Sequence, residues 1–247
     1  GAEVTSAQIL RALEARFGNP AVIYRETPSA AGFGEEHYLM PKPCWAVVTF
    51  AIEPLPRGSG VQYESRVGVN DIGRKYQNEV AEGIDRALRQ GPKGWPVTDL
   101  KLTLVAGEDH PIHSRPGNFK LATPMAVLSG LAAIGTTFLE PILAFRVTAA
   151  LELLGGITAD ITQRRGSFEA PDVRGERFVL EGTIPAATSL DYPVALASRS
   201  GGKAKIFTRL SGYEACADEL GVVTPYRGVS PLERSKYILA GRGGMTG

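Results

Sequence analysis

The residues best suited to chemistry are three histidines, His37, His110 and His113. Two of them bracket a short run, His110-Pro111-Ile112-His113, with Glu108 and Asp109 just upstream. Two imidazoles at this spacing suggest a metal-dependent enzyme, but a zinc site needs at least one more fixed ligand, usually held by regular structure. Here the pair sits in a polar, proline-bearing stretch, Gly107 to Asn118, and a polar surface loop is the favoured reading. The stretch is long, since connections of ~4–6 residues are usual. Pro111 and Pro116 stiffen it, and it presents His110, Ile112, His113 and Arg115. Histidine and arginine stack on bases or meet phosphates. The stretch is therefore either a rigid probe for RNA or a long hairpin-like tip with no partner.

Arg164-Arg165-Gly166 has two readings as well. The cations either stabilise a helix C-terminus that Gly166 caps, or form a phosphate-binding corner beside Lys203, Lys205 and Arg209. A nucleotide loop requires Gly-x-x-x-x-Gly-Lys-[Ser/Thr]. Its nearest approach, Gly202-Lys203, has Ala197 in the first glycine position and Ala204 in the hydroxyl position. Asp218-Glu219-Leu220-Gly221 fits Asp-x-x-Gly, a pattern loose enough for chance. No Ser/His/Asp set can be assembled, and the two cysteines, Cys44 and Cys216, have neither disulfide-framework nor thiolate-zinc spacing. The expectation is a stretch that is not an enzyme by itself and holds no metal or cofactor.

Composition limits the partners less sharply. The 247 residues are 43% hydrophobic and 21% charged, as in a soluble globular protein, and the net charge of +1 leaves only a local basic face as a nucleic-acid footprint. No run approaches the ~18 apolar residues of a membrane span, and no signal-peptide pattern opens the chain. A cytoplasmic monomer with no membrane contact is expected.

The elements that must position these residues follow from periodicity. Residues 5–17 read as an amphipathic helix stopped by Gly18-Asn19-Pro20, placed as the end of a longer chain. A strand is expected at 21–25, then a loop to 36, then strands at 44–52 and around Tyr63–Val67, with an exposed turn between them. Ile72, Tyr76, Val80, Ile84 and Leu88 mark one face of a helix. A strand at 97–105, the polar loop, and a helix from Phe119 to Ile134 follow, with a boundary at Leu139-Glu140-Pro141. Beyond it come strand 142–148, helix 150–164, strands 167–170 and 177–184, helix 187–198 and strand 203–210. This βαββαβ order is ferredoxin-like, with both helices on one face of an antiparallel sheet. A short helix over 229–240 would start at Ser230-Pro231.

Several motifs resemble one family. Lys42-Pro-Cys-Trp45, Glu53-Pro-Leu-Pro-Arg-Gly-Ser-Gly-Val-Gln-Tyr-Glu-Ser65, Gly94-Trp-Pro-Val-Thr-Asp99 and Phe138-Leu-Glu-Pro141 resemble domain IV of the ribosomal protection proteins that confer tetracycline resistance. Gln163-Arg-Arg-Gly166, Leu180-Glu-Gly-Thr-Ile-Pro185 and Gly212-Tyr213 resemble domain V of elongation factor G and its relatives. The resemblance implies an α+β chain in four parts: residues 1–20, the last helix of domain III; 21–140, a domain IV like ribosomal protein S5 domain 2 (βαβ); 141–213, a ferredoxin-like domain V; and 214–247, a tail with a short helix. GTP and Mg²⁺ would belong to an upstream domain of a parent GTPase. The implied partner is the ribosome, through 16S rRNA near the decoding centre and the stalk base of the large subunit. Asp109, His110, Pro111, Ile112, His113, Ser114 and Arg115 would be the RNA-facing tip of domain IV, beside the tetracycline site. Arg164 and Arg165 in domain V, with Arg234, Lys236 and Tyr237 in the C-terminal helix, would be further RNA contacts. Protection proteins carry two tyrosines followed by Ser-Pro in this loop, whereas a histidine at 110 is closer to the translocase. The Pro-Leu-Pro-x-Gly-Ser-Gly turn favours protection.

Overall fold

A computed structural model describes residues 22–39 and 43–243. The helical pattern at 5–17 and Lys42 lie outside the described residues. The chain divides into two compact units: Tyr24–Leu139 with the tail from Ala215 onward, and Glu140–Glu214.

The first unit is built from β1 (Arg25–Pro28), β2 (Gly32–Tyr38), β3 (Ala46–Pro54), β4 (Val61–Ser65), α1 (Arg74–Leu88), β5 (Leu100–Glu108) and α2 (Asn118–Ile134). Its four-stranded sheet has the order β2-β3-β5-β4. The β2–β3 and β3–β5 pairs are antiparallel, and β4–β5 is parallel. A parallel pair needs a crossover, and α1 supplies it. Alternation puts Val48, Phe50, Ile52, Leu100, Leu102 and Leu104 into one core with the expected α1 stripe of Tyr76, Val80, Ile84 and Leu88. Helix α2 is buried almost all round, because it packs on α1, β2 and β3 at once.

The segment expected as a strand at 21–25 and then a loop instead carries β1 and β2. Strand β2 does alternate, but its buried positions are Gly34, Glu36 and Tyr38. A Cβ at Gly34 would collide with the Ala126 carbonyl of α2, so glycine permits the close approach. Glu36 is buried because Arg234 reaches its carboxylate at 2.8 Å. Neither residue registers as hydrophobic, so the strand is hidden from a pattern search.

Strand direction collects the connections that matter. Strand β2 ends at Tyr38 opposite Ala46, β5 ends at Glu108 opposite Val47, and β4 ends at Ser65 opposite Leu104. Residues 39 and 43–45 and segments 66–73 and 109–117 therefore share one end of the sheet.

Strand β6 (Thr136–Ala150) is longer than the strand expected at 142–148, and its residues from Glu140 on belong to the second unit. It is followed by α3 (Leu154–Gln163), β7 (Ser167–Phe168), β8 (Asp172–Arg174), β9 (Arg177–Pro185), α4 (Ala186–Ser189), α5 (Tyr192–Ser200) and β10 (Lys205–Ala215). The pairing β10-β6-β9-β7 is the ferredoxin-like order, and the α+β class holds. Phe145, Val147, Phe178 and Leu180 of the sheet pack with Ile157, Ile161, Tyr192 and Leu196 of the helices.

The tail returns to the first unit. The Trp95 indole donates to the Val222 carbonyl at 2.6 Å, and Gln90 and Arg227 exchange hydrogen bonds of 3.1 and 2.8 Å. Its helix, α6, spans Arg234–Gly243 and begins later than expected. Ser230 explains the shift: its Oγ accepts from the Leu232 amide and its carbonyl from the Glu233 amide, closing a turn over Pro231.

Candidate nucleic-acid interface

The loop between β5 and α2 is short of regular structure but not of bonds. Asp109 accepts from the Gly73 amide through Oδ2 at 2.8 Å, and its own amide donates to the Asp71 carbonyl at 2.8 Å. Ser114 Oγ donates to the Trp45 carbonyl at 2.6 Å and accepts from the His110 amide at 2.9 Å. Asn118 Oδ1 accepts from the amides of Trp45 and Arg115, at 3.2 and 2.8 Å. Gly117, at φ 89°, starts α2 in the left-handed region that glycine tolerates, and its amide donates to both oxygens of Glu79.

Inside this frame three rings gather. His110 and His113 stack with centroids 4.4 Å apart and planes 27° apart, and Trp45 lies 5.2 Å from His110 and 6.5 Å from His113. His110 Nδ1 accepts from the amides of Ile112 and His113, each at 3.1 Å, so its ring proton must sit on Nε2. Pro111, Ile112, Arg115 and Pro116 face solvent, with Ile112 66% exposed. The result is a braced protrusion with a stacked aromatic flank and an apolar apex. It suits stacking and backbone contact with RNA.

The same geometry argues against a metal. Two nearly parallel imidazoles do not converge on one ion, and one His110 nitrogen is already engaged by two amides. Among the described residues no group of three or more His, Cys, Asp or Glu is arranged to hold a metal. Gly202-Lys203 does not fit a nucleotide loop either. Gly201 and Gly202, at φ 62° and 79°, end α5 and lead into a strand, whereas a phosphate loop leads into a helix.

The predicted site residues separate into groups. Asp109, His110, Pro111, Ile112, His113 and Arg115 come together at the tip. Ser114 is 5% exposed and braces the loop from within through Trp45 and His110. Tyr237 is 4% exposed, within the first unit's core. Arg234 is tied to Glu36, and Lys236, more exposed, to Glu233 at 3.1 Å. Arg164 and Arg165 belong to the other unit. Arg164 lies 4.6 Å over the Tyr192 ring and 3.3 Å from Asp191, and Arg165 is bonded to Glu140. Both arginines thus have structural partners of their own.

Sequence reasoning missed Trp45 as a member of the site. Lys42-Pro-Cys-Trp45 stands out only as a motif, because the contact joins residues far apart in the chain. The Trp45 indole nitrogen is buried with no hydrogen-bond partner among the described residues. Burial pushes the adjacent Cys44 thiol up, in keeping with packing rather than nucleophilic chemistry.

The two units form a module of the elongation factor G type, and the chain belongs to the elongation factor G family. Residues 20–133 match elongation factor G, domain IV, and residues 137–221 match the elongation factor G C-terminus. Among named relatives, the chain is 33% identical over 242 residues to the tetracycline resistance protein TetP of Clostridium perfringens, covering 96% of this chain and 37% of that protein. It is 34% identical over 227 residues to the tetracycline resistance protein TetO of Streptococcus pneumoniae, covering 92% of this chain and 35% of that one. It therefore spans little more than a third of the length of these relatives. A crystal structure from Thermus thermophilus superposes with a TM-score of 0.71 at 29% identity, over 81% of this chain and 31% of that one.

Proposed function

We propose that this chain is the ribosome-binding part, domains IV and V, of a translational GTPase that releases tetracycline from the decoding region of the small subunit. The observation that carries the reading is the 109–117 loop: it is braced at both ends, yet it offers Pro111, Ile112 and Arg115 to solvent. A preformed protrusion loses little conformational freedom on binding, so it can displace a small ligand from an RNA pocket at low entropic cost. The resemblance to proteins named for tetracycline resistance supports the drug as the displaced ligand. GTP and Mg²⁺ are assigned to a further domain of the whole protein. The ribosome is the partner and the cytoplasm the location.

A second reading, a translocase of the elongation factor G type, is favoured by His110 at the tip. Producing the whole protein in tetracycline-sensitive cells separates the two. A rise in the tolerated tetracycline concentration is expected for protection. Unchanged tolerance, together with support of tRNA–mRNA movement in a purified translation assay, would assign the chain to the translocases.

A further inference from the structure

Two exposed arginines at the tip end of the first unit, Arg74 and Arg115, have guanidinium groups with no hydrogen bond or ion pair to any described residue. Others in the same unit are committed: Arg57 to Asp99, Arg66 to Glu64, Arg89 to Asp85 and Arg234 to Glu36. An arginine left unpaired adds nothing to folding through ion pairing. Arg74 even opposes it, because α1 has no acidic residue in its first turn and a cation there meets the unfavourable end of the helix dipole.

The bonds of the loop bring the backbone at the two arginines to one end of the unit. The loop is strapped to α1 at its start, where Asp109 Oδ2 accepts from the Gly73 amide at 2.8 Å, and at its end, where Glu79 accepts from the Gly117 amide at 3.0 and 3.1 Å. Glu79 lies about 9 Å along the helix axis from Gly73. The loop therefore runs beside the first turns of α1, and Arg74, next to Gly73, flanks it. The neighbouring Lys75 is less available, since its ammonium lies 4.8 Å over the Tyr76 ring.

Resting on the RNA-binding reading above, we infer that Arg74 and Arg115 form a phosphate-directed half of the tip. They bind the sugar–phosphate backbone of the RNA whose bases meet the His110–His113 stack and the Ile112 apex. Arginine suits this work because its planar fork meets two phosphate oxygens at once and keeps its charge at any physiological pH. Division of labour follows: the arginines set affinity and register, and the stiff loop sets what is displaced.

The test is ribosome binding by the whole protein, measured across a salt series for Arg74→Ala, Arg115→Ala and the double variant. Removing one phosphate-binding arginine should lower the slope of log affinity against log salt by about 0.7–0.9, and the double variant should show about twice that drop. Arg74→Ala should keep or slightly raise the thermal midpoint, which separates weakened binding from weakened folding. Arg74→Lys should retain the slope and bind more weakly than the parent, as a point charge replaces a fork. Arg89→Ala, at the other end of α1, should match the parent. An unchanged slope in Arg74→Ala overturns the inference, and if shortening the 109–115 loop still abolishes tetracycline release, the reading beneath it stands. A shortened loop that releases the drug at the parent's rate would overturn that reading itself.

Discussion

Arg165 holds Glu140 through two parallel hydrogen bonds, Nη1 to Oε2 and Nη2 to Oε1, each 2.9 Å long. The glutamate side chain is 4% exposed and the arginine 38%. Arg165 also adopts φ 60°, a left-handed conformation rare for a side chain of its size. Two motifs that look separate in sequence, Leu139-Glu140-Pro141 and Gln163-Arg164-Arg165-Gly166, thus encode one bidentate pair.

Arg165→Ala should cost about 2–3 kcal/mol in the stability of the second unit, because it leaves a buried carboxylate without its partner. A fully buried pair would cost ~3–5 kcal/mol, and partial solvation of Arg165 lowers the figure. Arg165→Gly should be milder than Arg165→Ala by about 0.5–1 kcal/mol, since glycine accepts the positive φ. Urea unfolding midpoints of the two variants check both the size and the order.

Asp99 and Glu26 give the first unit two opposed pH responses. Burial pushes the Asp99 carboxyl up, but the Gly60 amide, the Arg57 guanidinium and the Gly58 amide outweigh it and hold the group below the usual carboxylate range. A depressed carboxyl stabilises fully above its unfolded value of about 3.9 and loses that contribution as pH falls through the folded value. Asp99→Asn should therefore be less stable than the parent at pH 7 by about 1–3 kcal/mol, and the gap should close below about pH 4. For Glu26, burial raises the carboxyl, against the Thr136 hydroxyl, the amides of Trp95 and Lys93, and the Lys93 charge. Its contribution is full below about pH 4.3 and declines as pH rises through the folded value. Stability against pH for Asp99→Asn and Glu26→Gln should bend in opposite directions, and parallel curves would show that these carboxylates do not govern the response.

Ser114→Ala should loosen the tip without unfolding the unit. The serine hydroxyl holds the Trp45 carbonyl and the His110 amide, and its loss leaves both underpaired at a cost of about 1–2 kcal/mol. Amide hydrogen exchange over 110–115 should quicken while that of α1 and β5 stays slow. Equal acceleration everywhere would mean that the serine supports the whole unit and not the loop.

Much of the fold is legible in the sequence because hydrophobic periodicity carries it. The α1 stripe from Tyr76 to Leu88, the alternation in β3 and β9, and the βαββαβ order are all written in apolar residues. Strand β2 is not legible, because Gly34 and Glu36 fill its buried positions and only α2 and Arg234 explain them. The start of α6 is easily misread because a proline after a serine looks like a helix opening, whereas the Ser230 turn uses the same residues. At the tip, the loop is legible from its prolines and its length. The brace is not, since the Ser114–Trp45 bond and the straps to Gly73 and Glu79 span tens of residues. Asp99 has a partial signal: it closes one motif and binds Arg57 and Gly60 of another, which spacing alone does not pair.

The central proposal is that the braced 109–115 loop displaces the drug from ribosomal RNA. The most direct measurement is release of labelled tetracycline from purified ribosomes by the whole protein, compared with a variant in which residues 109–115 are replaced by a short glycine–serine turn. The parent should accelerate release, and the variant should keep its fold and GTP hydrolysis while release falls to the spontaneous rate. Release at the parent's rate by the folded variant would contradict the account.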